Sequence, residues 1–171
     1  DYFSNTLKKD DNFLIYYAGH GELDLLDKNN SYWLPSDAQK KSKSNWISNL
    51  VITSWVKSLK SKHVLLIADS CYAGALSRGT IGNFNKDNAL SYFKRLIDKK
   101  SRKLLASGGE EPVMDGGGGN HSVFAKALID VLNENNVLME TYSLFDQVRK
   151  KVIVNSPQTP EYEIIFASGD D

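Results

Sequence analysis

The segment His63–Asp69 constrains the fold of this chain more than any other stretch. Its sequence, His-Val-Leu-Leu-Ile-Ala-Asp, is apolar almost throughout, which is typical of a parallel β-strand buried on both faces. Such a strand requires helices on both sides of its sheet, because each face presents apolar side chains that must be covered. Shorter strand-like runs alternate with helical patterns along the rest of the chain. The sequence therefore predicts an α/β layer fold with a mostly parallel sheet.

Four other segments have the composition of strands. The clearest is 13–18, a β-rich run ended by Gly19, which predicts a second buried strand. The others are 32–34, 103–107 and 164–167. The spacing of apolar residues predicts a helix that is capped by Thr53 and runs through Trp55 to Leu59. Further helices are expected at 87–99, 120–135 and 141–151.

Length and charge argue against several classes of protein. The 171 residues suit one domain. The chain has 21 basic and 21 acidic residues, a balance that argues against binding nucleic acid through bulk positive charge. The longest strongly apolar run, 64–68, is too short to span a membrane, and no secretory leader is recognisable. We therefore expect a cytoplasmic domain and, because the first residue is Asp1 rather than Met, a processed chain or an excerpt of a longer protein.

Two reactive side chains follow predicted strands. His20 follows the strand at 13–18, and Cys71, the single cysteine, follows His63–Asp69. Sites in open α/β sheets lie at the carboxyl ends of the strands. If these two strands are parallel neighbours, His20 and Cys71 emerge from the same edge of the sheet.

This pair has the chemistry of a nucleophile and its base. A thiol with the ordinary pKa of about 8.5 is only a few per cent thiolate at pH 7, so an imidazole is needed to take its proton. Backbone N–H groups must stabilise the oxyanion, and those of Gly21 and Cys71 are the natural donors. Each residue alone has a structural interpretation, a core cysteine and a loop histidine. Zinc ligation by His20, Glu22 and Cys71 is a further alternative, although the compact spacing of a structural zinc site is lacking.

Two motifs resemble those of a known family. The segments 16–21 (Tyr-Tyr-Ala-Gly-His-Gly) and 69–74 (Asp-Ser-Cys-Tyr-Ala-Gly) are similar to the histidine and cysteine motifs of the caspase-like cysteine peptidases, clan CD. The histidine lies about 50 residues before the cysteine, as in caspases. Asp69 and Ser70 replace the Gln-Ala of animal caspases, so the motif resembles the metacaspase and bacterial caspase-like branch. Four further segments fit the bacterial members: 32–38, 105–112, 119–124 and 156–160.

The resemblance implies a caspase-like three-layer sandwich, with a mostly parallel central sheet and helices on both faces. We expect residues 1–171 to form a single peptidase domain. Family members begin with a core strand and a helix that are not recognisable here, and they usually finish with a further strand. The resemblance thus implies a domain incomplete at its N-terminus and its C-terminus, with the rest of the parent protein or a second chain completing the fold.

The resemblance also implies a cysteine endopeptidase that acts on polypeptides by acyl transfer through a thioester. His20 would be the general base and acid, Cys71 the nucleophile, and the N–H groups of Gly21 and Cys71 the oxyanion hole. The sequence requires no cofactor, and calcium activation stays open because some members need calcium. Proteins of this type often act in defence or regulated cell death. No membrane or nucleic-acid partner is expected.

Asp69 lies two positions before Cys71, and residues i and i+2 of an extended strand point the same way. A carboxylate beside the nucleophile favours arginine or lysine before the scissile bond through a charge-assisted pair, and metacaspases have an aspartate at this position. Alternatively, Asp69 caps a loop or pairs with a nearby lysine. Glu110, Glu111 and Asp115 could deepen this acidic pocket, or they could belong to a solvated loop.

Two alternatives differ in function or in family. The domain could be a caspase-like binding or scaffolding module with a silent dyad, although the intact His20 and Cys71 argue against this. It could also belong to a related group of His-Gly/Cys peptidases, such as the legumain, gingipain or separase types. Of the remaining histidines, His63 is expected at the surface and His121 in a structural role.

Overall fold

The structure is a computed structural model that describes residues 2–27, 30–76, 89–109 and 120–169. Its strands, in chain order, are β1 (Asn12–Ala18), β2 (His20–Leu23), β3 (Ser31–Leu34), β4 (Ile47–Ser48), β5 (His63–Asp69), β6 (Ser101–Ala106) and β7 (Glu161–Ile164). Its α-helices are α1 (Tyr2–Thr6), α2 (Asn49–Ser58), α3 (Ala89–Asp98), α4 (Val123–Glu134) and α5 (Thr141–Asn155).

The main sheet has the order β1-β5-β6-β7. Strands β1, β5 and β6 are parallel to one another, and β7 runs antiparallel to β6. A smaller antiparallel sheet contains β2, β3 and β4. The prediction of an α/β fold with a mostly parallel sheet is confirmed.

Two apolar cores lie on opposite faces of β5, because alternate residues of a strand point to opposite sides. Val64 and Leu66 pack in the core that contains α2, whereas Ile67 packs in the core that contains α4 and α5. Strand β5 has the bounds that the sequence predicted, and its residues from Leu66 to the end of the strand are all buried. Helices therefore cover both faces of the sheet, as expected.

Strand β1 differs from the prediction of a buried strand. Its residues alternate between exposed and half-buried along its whole length. Phe13 and Ile15 pack against the core of α2, but Leu14 and Tyr16 on the other face are 59% and 45% exposed. The physical reason is that β1 pairs only with β5 among the described strands and lies at the edge of the sheet. Apolar composition alone does not tell an edge strand from a central one.

Two helices begin at a different residue from the predicted one, because a serine caps each of them. Helix α2 begins at Asn49, where the Ser48 hydroxyl accepts the N–H of Val51 at 3.3 Å, so Thr53 is not the cap. Helix α4 begins at Val123, and its cap is Ser122. Both serines satisfy backbone donors that a helix start leaves without partners.

The other bounds differ by a few residues. Strand β6 begins two residues before the predicted 103–107, α5 continues four residues beyond 141–151, and β7 ends where the predicted strand 164–167 begins. Two large apolar side chains on the helices, Trp55 of α2 and Leu132 of α4, are 54% and 51% exposed. None of the helices in the described ranges is long and apolar enough to cross a membrane.

The two sheets are joined by Tyr17. Its ring stacks on Trp33 of β3 with centroids 4.0 Å apart and planes 6° from parallel. Its hydroxyl donates to the carbonyl oxygen of His20 at 2.8 Å and accepts the N–H of Leu34 at 3.2 Å. These contacts fix the start of β2 immediately beyond the end of β1.

Arg102 of β6 is fully buried and holds the end of α2. Its guanidinium donates to the carbonyl oxygens of Val56, of Leu59 at 2.7 Å and of Ser61 at 3.1 Å. A cation is favourable at a helix C-terminus, where carbonyl groups lack partners within the helix. The side chain thus ties the connection between α2 and β5 to the centre of the sheet.

We expect Arg102→Met to lower the free energy of unfolding by about 3 kcal/mol, because buried carbonyl groups would lose their charged donor. Urea titration measures this change. The matched control is Arg149→Met on α5, where a partly exposed arginine pairs with Asp146 at 3.3 Å and the loss should stay below about 1 kcal/mol. Equal losses in the two variants would contradict the importance of the buried guanidinium.

Candidate active site

The pairing of β1 with β5 brings the two sequence motifs together. The strands are parallel neighbours, with Ala18 opposite Asp69, and the N–H of Gly19 donates to the carbonyl oxygen of Asp69 at 3.3 Å. His20 and Cys71 each lie two residues beyond this pair, at the same edge of the sheet. The prediction that His20 and Cys71 emerge from one sheet edge required β1 and β5 to be parallel neighbours, and they are.

Gly21 connects the two motifs directly. A Cβ atom added to Gly21 would collide with the carbonyl oxygen of Cys71 and would lie 3.6 Å from the Cys71 nitrogen. The β2 backbone therefore lies against the backbone of Cys71, an approach that only glycine permits at this place. The two residues that were predicted to form an oxyanion hole are thus adjacent.

Cys71 lies in a sharp turn at the end of β5. The next residue, Tyr72, has a left-handed backbone with φ of 59°, which is uncommon for a large side chain. A short 3-10 helix, Ala73–Leu76, follows at once, and its two end residues are buried in the core of α2. This anchored turn holds Cys71 partly buried, whereas His20 at the start of β2 is exposed.

Asp69 ends β5 and is 9% exposed. The Ser122 hydroxyl donates to its Oδ2 atom, and the Tyr16 hydroxyl donates to the same oxygen at 3.4 Å. Burial, followed by the charge of Asp69 and this hydrogen bond, raises the pKa of Tyr16 to about 12. Asp69 therefore contacts the cap of α4 and lies at the edge where Cys71 emerges.

A further acidic residue was missed by the sequence analysis. Glu161, the first residue of β7, lies opposite Ala106 in the pairing with β6. Its carboxylate is next to Gly74 and Gly109, and a Cβ on Gly109 would lie 2.5 Å from Oε1. Glu161 thus reaches the loops that follow β5 and β6. No spacing in the sequence could have indicated this, because the contact depends on the antiparallel addition of β7.

The loop expected to deepen the acidic pocket is not described. Glu110, Glu111 and Asp115 lie outside the described residues. Within the described ranges, no group of three His, Cys, Asp or Glu side chains is placed to hold a metal ion. Zinc ligation by His20, Glu22 and Cys71 therefore gains no support from the geometry.

The other two histidines lie elsewhere. His63 begins β5, at the end of the strand away from Cys71, and its ring nitrogens lie 2.8 Å from the Asn12 side-chain oxygen and 3.0 Å from the Lys99 carbonyl oxygen. His63 is therefore held between two chain segments rather than simply placed at the surface. His121 is exposed and precedes the cap of α4.

We expect Gly21→Ala to destabilise the protein by about 1–3 kcal/mol, because the added methyl group must displace the Cys71 backbone. The free energy of unfolding in urea measures this cost. The control is Glu22→Ala at the exposed neighbouring position, which should change stability by less than about 0.5 kcal/mol. If Gly21→Ala were as mild as the control, the close approach of the two backbones would be wrong.

Comparisons with known proteins agree with this architecture. The chain is similar to the crystal structure of a Geobacter sulfurreducens protein determined as a structural genomics target. The TM-score is 0.60 at 16% sequence identity, and the match covers 93% of this chain and 68% of the other. At this identity, the likeness establishes the fold and nothing more. No curated protein sequence matches the chain significantly.

A protein-family model provides the family assignment. The model described as the caspase domain matches residues 1–166, almost the whole chain. This match confirms the resemblance that the histidine and cysteine motifs indicated. The protein belongs to the caspase domain family.

Proposed function

We propose that this domain is a cysteine endopeptidase in which Cys71 is the nucleophile and His20 the general base and acid. Membership of the caspase domain family suggests cysteine peptidase activity. The observation that carries the proposal is the contact of Gly21 with the Cys71 backbone, which brings the two motifs to one place. The parallel pairing of β1 and β5 supports the proposal, because it brings the histidine and cysteine motifs to the same edge of the sheet.

The proposed reaction proceeds by acyl transfer. The His20 imidazole accepts the thiol proton, and the Cys71 sulfur attacks the carbonyl carbon of the scissile peptide bond. The N–H groups of Gly21 and Cys71 stabilise the oxyanion. The imidazolium then gives its proton to the leaving amine, the C–N bond breaks, and a thioester forms. Water, deprotonated by His20, hydrolyses the thioester and regenerates the thiol.

We also propose that the domain cleaves after arginine or lysine. Asp69 ends the strand that leads to Cys71 and lies at the same sheet edge. A carboxylate at this place would attract a basic side chain through a charge-assisted hydrogen bond. Glu161 is a second acidic group near the loop of Cys71. The proposed mechanism uses no cofactor. Whether calcium activates the domain is tested by measuring peptide cleavage with and without calcium.

Cleavage of a fluorogenic peptide panel tests this function. The assay is run both with and without calcium. In at least one of these conditions, we expect cleavage after arginine or lysine and not after aspartate. Cys71→Ala and His20→Ala should each lower the rate by about 1,000-fold or more. His63→Gln, at the opposite end of β5, is the matched histidine control and should retain activity. A wild-type protein that cleaves no peptide and whose thiol resists an arginyl electrophile would instead favour a silent scaffold module.

We further propose that the rest of the parent protein, or a second chain, covers β1. The supporting observation is the exposed edge strand, on which Leu14 and Tyr16 present large side chains to solvent. Exposed edge strands are usually protected in proteins, because their free backbone groups pair with other chains. A covering segment would pair with the backbone of β1 and prevent its association with other chains.

Amide hydrogen exchange tests the coverage of β1. We expect the amides of Asn12–Ala18 to exchange at least about tenfold more slowly in the whole protein than in the 171-residue chain, because a covering strand would protect them. The central strand β6 is the internal control and should exchange equally slowly in both. Identical exchange of β1 in the two proteins, at low and high concentration, would contradict the proposal.

A further inference from the structure

We propose that Ser122 and Tyr16 are positioning residues that hold the Asp69 carboxylate in the orientation needed to bind a basic substrate side chain. This inference rests on the proposed function, in which Asp69 receives the arginine or lysine before the scissile bond. It assigns part of the specificity to the N-terminal cap of α4 and to the edge strand β1.

The Ser122 hydroxyl has its orientation set by two hydrogen bonds. It accepts the N–H of Ala125 at 2.9 Å as the cap of α4. A hydroxyl has one proton to donate, and this proton is directed to Oδ2 of Asp69. Helix α4 is anchored by the buried Val123 and Phe124 immediately after the cap. The carboxylate is therefore bonded to a donor whose own position is fixed by a helix that is anchored in the core.

Tyr16 provides the second donor from the neighbouring strand. It lies opposite Ile67 in the pairing of β1 with β5, and its hydroxyl reaches diagonally to Oδ2 of Asp69 at 3.4 Å. Burial and the nearby carboxylate raise its pKa to about 12, so the hydroxyl stays a donor at neutral pH. The residue is 45% exposed, and its hydroxyl bonds to the same carboxylate oxygen as Ser122.

Both donors use the same oxygen of Asp69. A carboxylate offers about four acceptor positions over its two oxygens, and these two bonds fix the direction of one oxygen. Pairing with a guanidinium depends on the plane of the carboxylate, because two parallel N–H bonds require matched geometry. Loss of either donor would free the carboxylate plane to turn, and binding of the basic side chain would weaken.

The test compares two peptides that differ only in the residue before the scissile bond, arginine in one and its neutral isostere citrulline in the other. In the whole protein, Ser122→Gly should lower kcat/KM for the arginine peptide about tenfold, mainly through KM, which corresponds to one charge-assisted hydrogen bond. Tyr16→Phe should lower it about threefold. Because citrulline does not need the charge of Asp69, its kcat/KM should change far less.

The choice of variants separates positioning from folding. Glycine costs a helix cap only a small part of its stability, so Ser122→Gly removes the donor and leaves α4 formed. Ser122→Thr keeps a hydroxyl that both caps and donates, and it should restore the arginine preference. Ser48→Gly is the matched control, because it removes the serine cap of α2 and should leave the cleavage of both peptides unchanged.

The outcomes also separate this inference from the proposed function. If the wild type prefers arginine and Asp69→Asn abolishes that preference, but Ser122→Gly and Tyr16→Phe retain it, the positioning role is overturned and the function stands. An equal loss for both peptides in Ser122→Gly also overturns it, since the effect would then be structural. A wild-type protein that cleaves neither peptide, or both equally, contradicts the proposed specificity and this inference with it.

Discussion

Parallel pairing of β1 with β5 is the interaction on which the rest of the site depends. The two strands are in register from Asn12 opposite His63 to Ala18 opposite Asp69. This register makes both chains leave the sheet at the same edge and lets Gly21 lie against the Cys71 backbone. A slip of one residue would turn alternate side chains to the opposite face. Tyr16 would then point away from Asp69, and the two motifs would no longer face each other.

The elements with strong local signals could be predicted from the sequence, and those that depend on distant contacts could not. The apolar run His63–Asp69 identified the central strand with its bounds, because burial on both faces leaves a continuous pattern. The exposed face of β1 was missed, since composition does not reveal which strand has a single neighbour. His20 and Cys71 were predicted as a candidate pair from their places after strands, and the parallel pairing of those strands brings both motifs to one sheet edge. Ser122 could have been recognised as a cap, but its contact with Asp69 joins residues far apart in the chain.

Asp69 combines a structural contact with the proposed specificity. A carboxylate that is 9% exposed must be hydrogen-bonded, because burial of an unpaired charge is costly. The hydroxyls of Ser122, at the cap of a helix, and of Tyr16, on the neighbouring strand, both contribute to this requirement. The same bonds that make the buried charge tolerable would keep it oriented for a basic substrate. In the proposed function, one set of contacts would thus serve both stability and recognition.

The measurement that tests the central claim most directly is the rate at which a peptidyl-arginine chloromethyl ketone alkylates Cys71, followed by mass spectrometry. If His20 and Cys71 form a catalytic pair, the wild-type protein should be modified at Cys71 at least about 100-fold faster than His20→Ala. The reagent should also react faster than its citrulline counterpart. Equal alkylation rates in the wild type and His20→Ala would contradict the claim that the histidine activates the thiol.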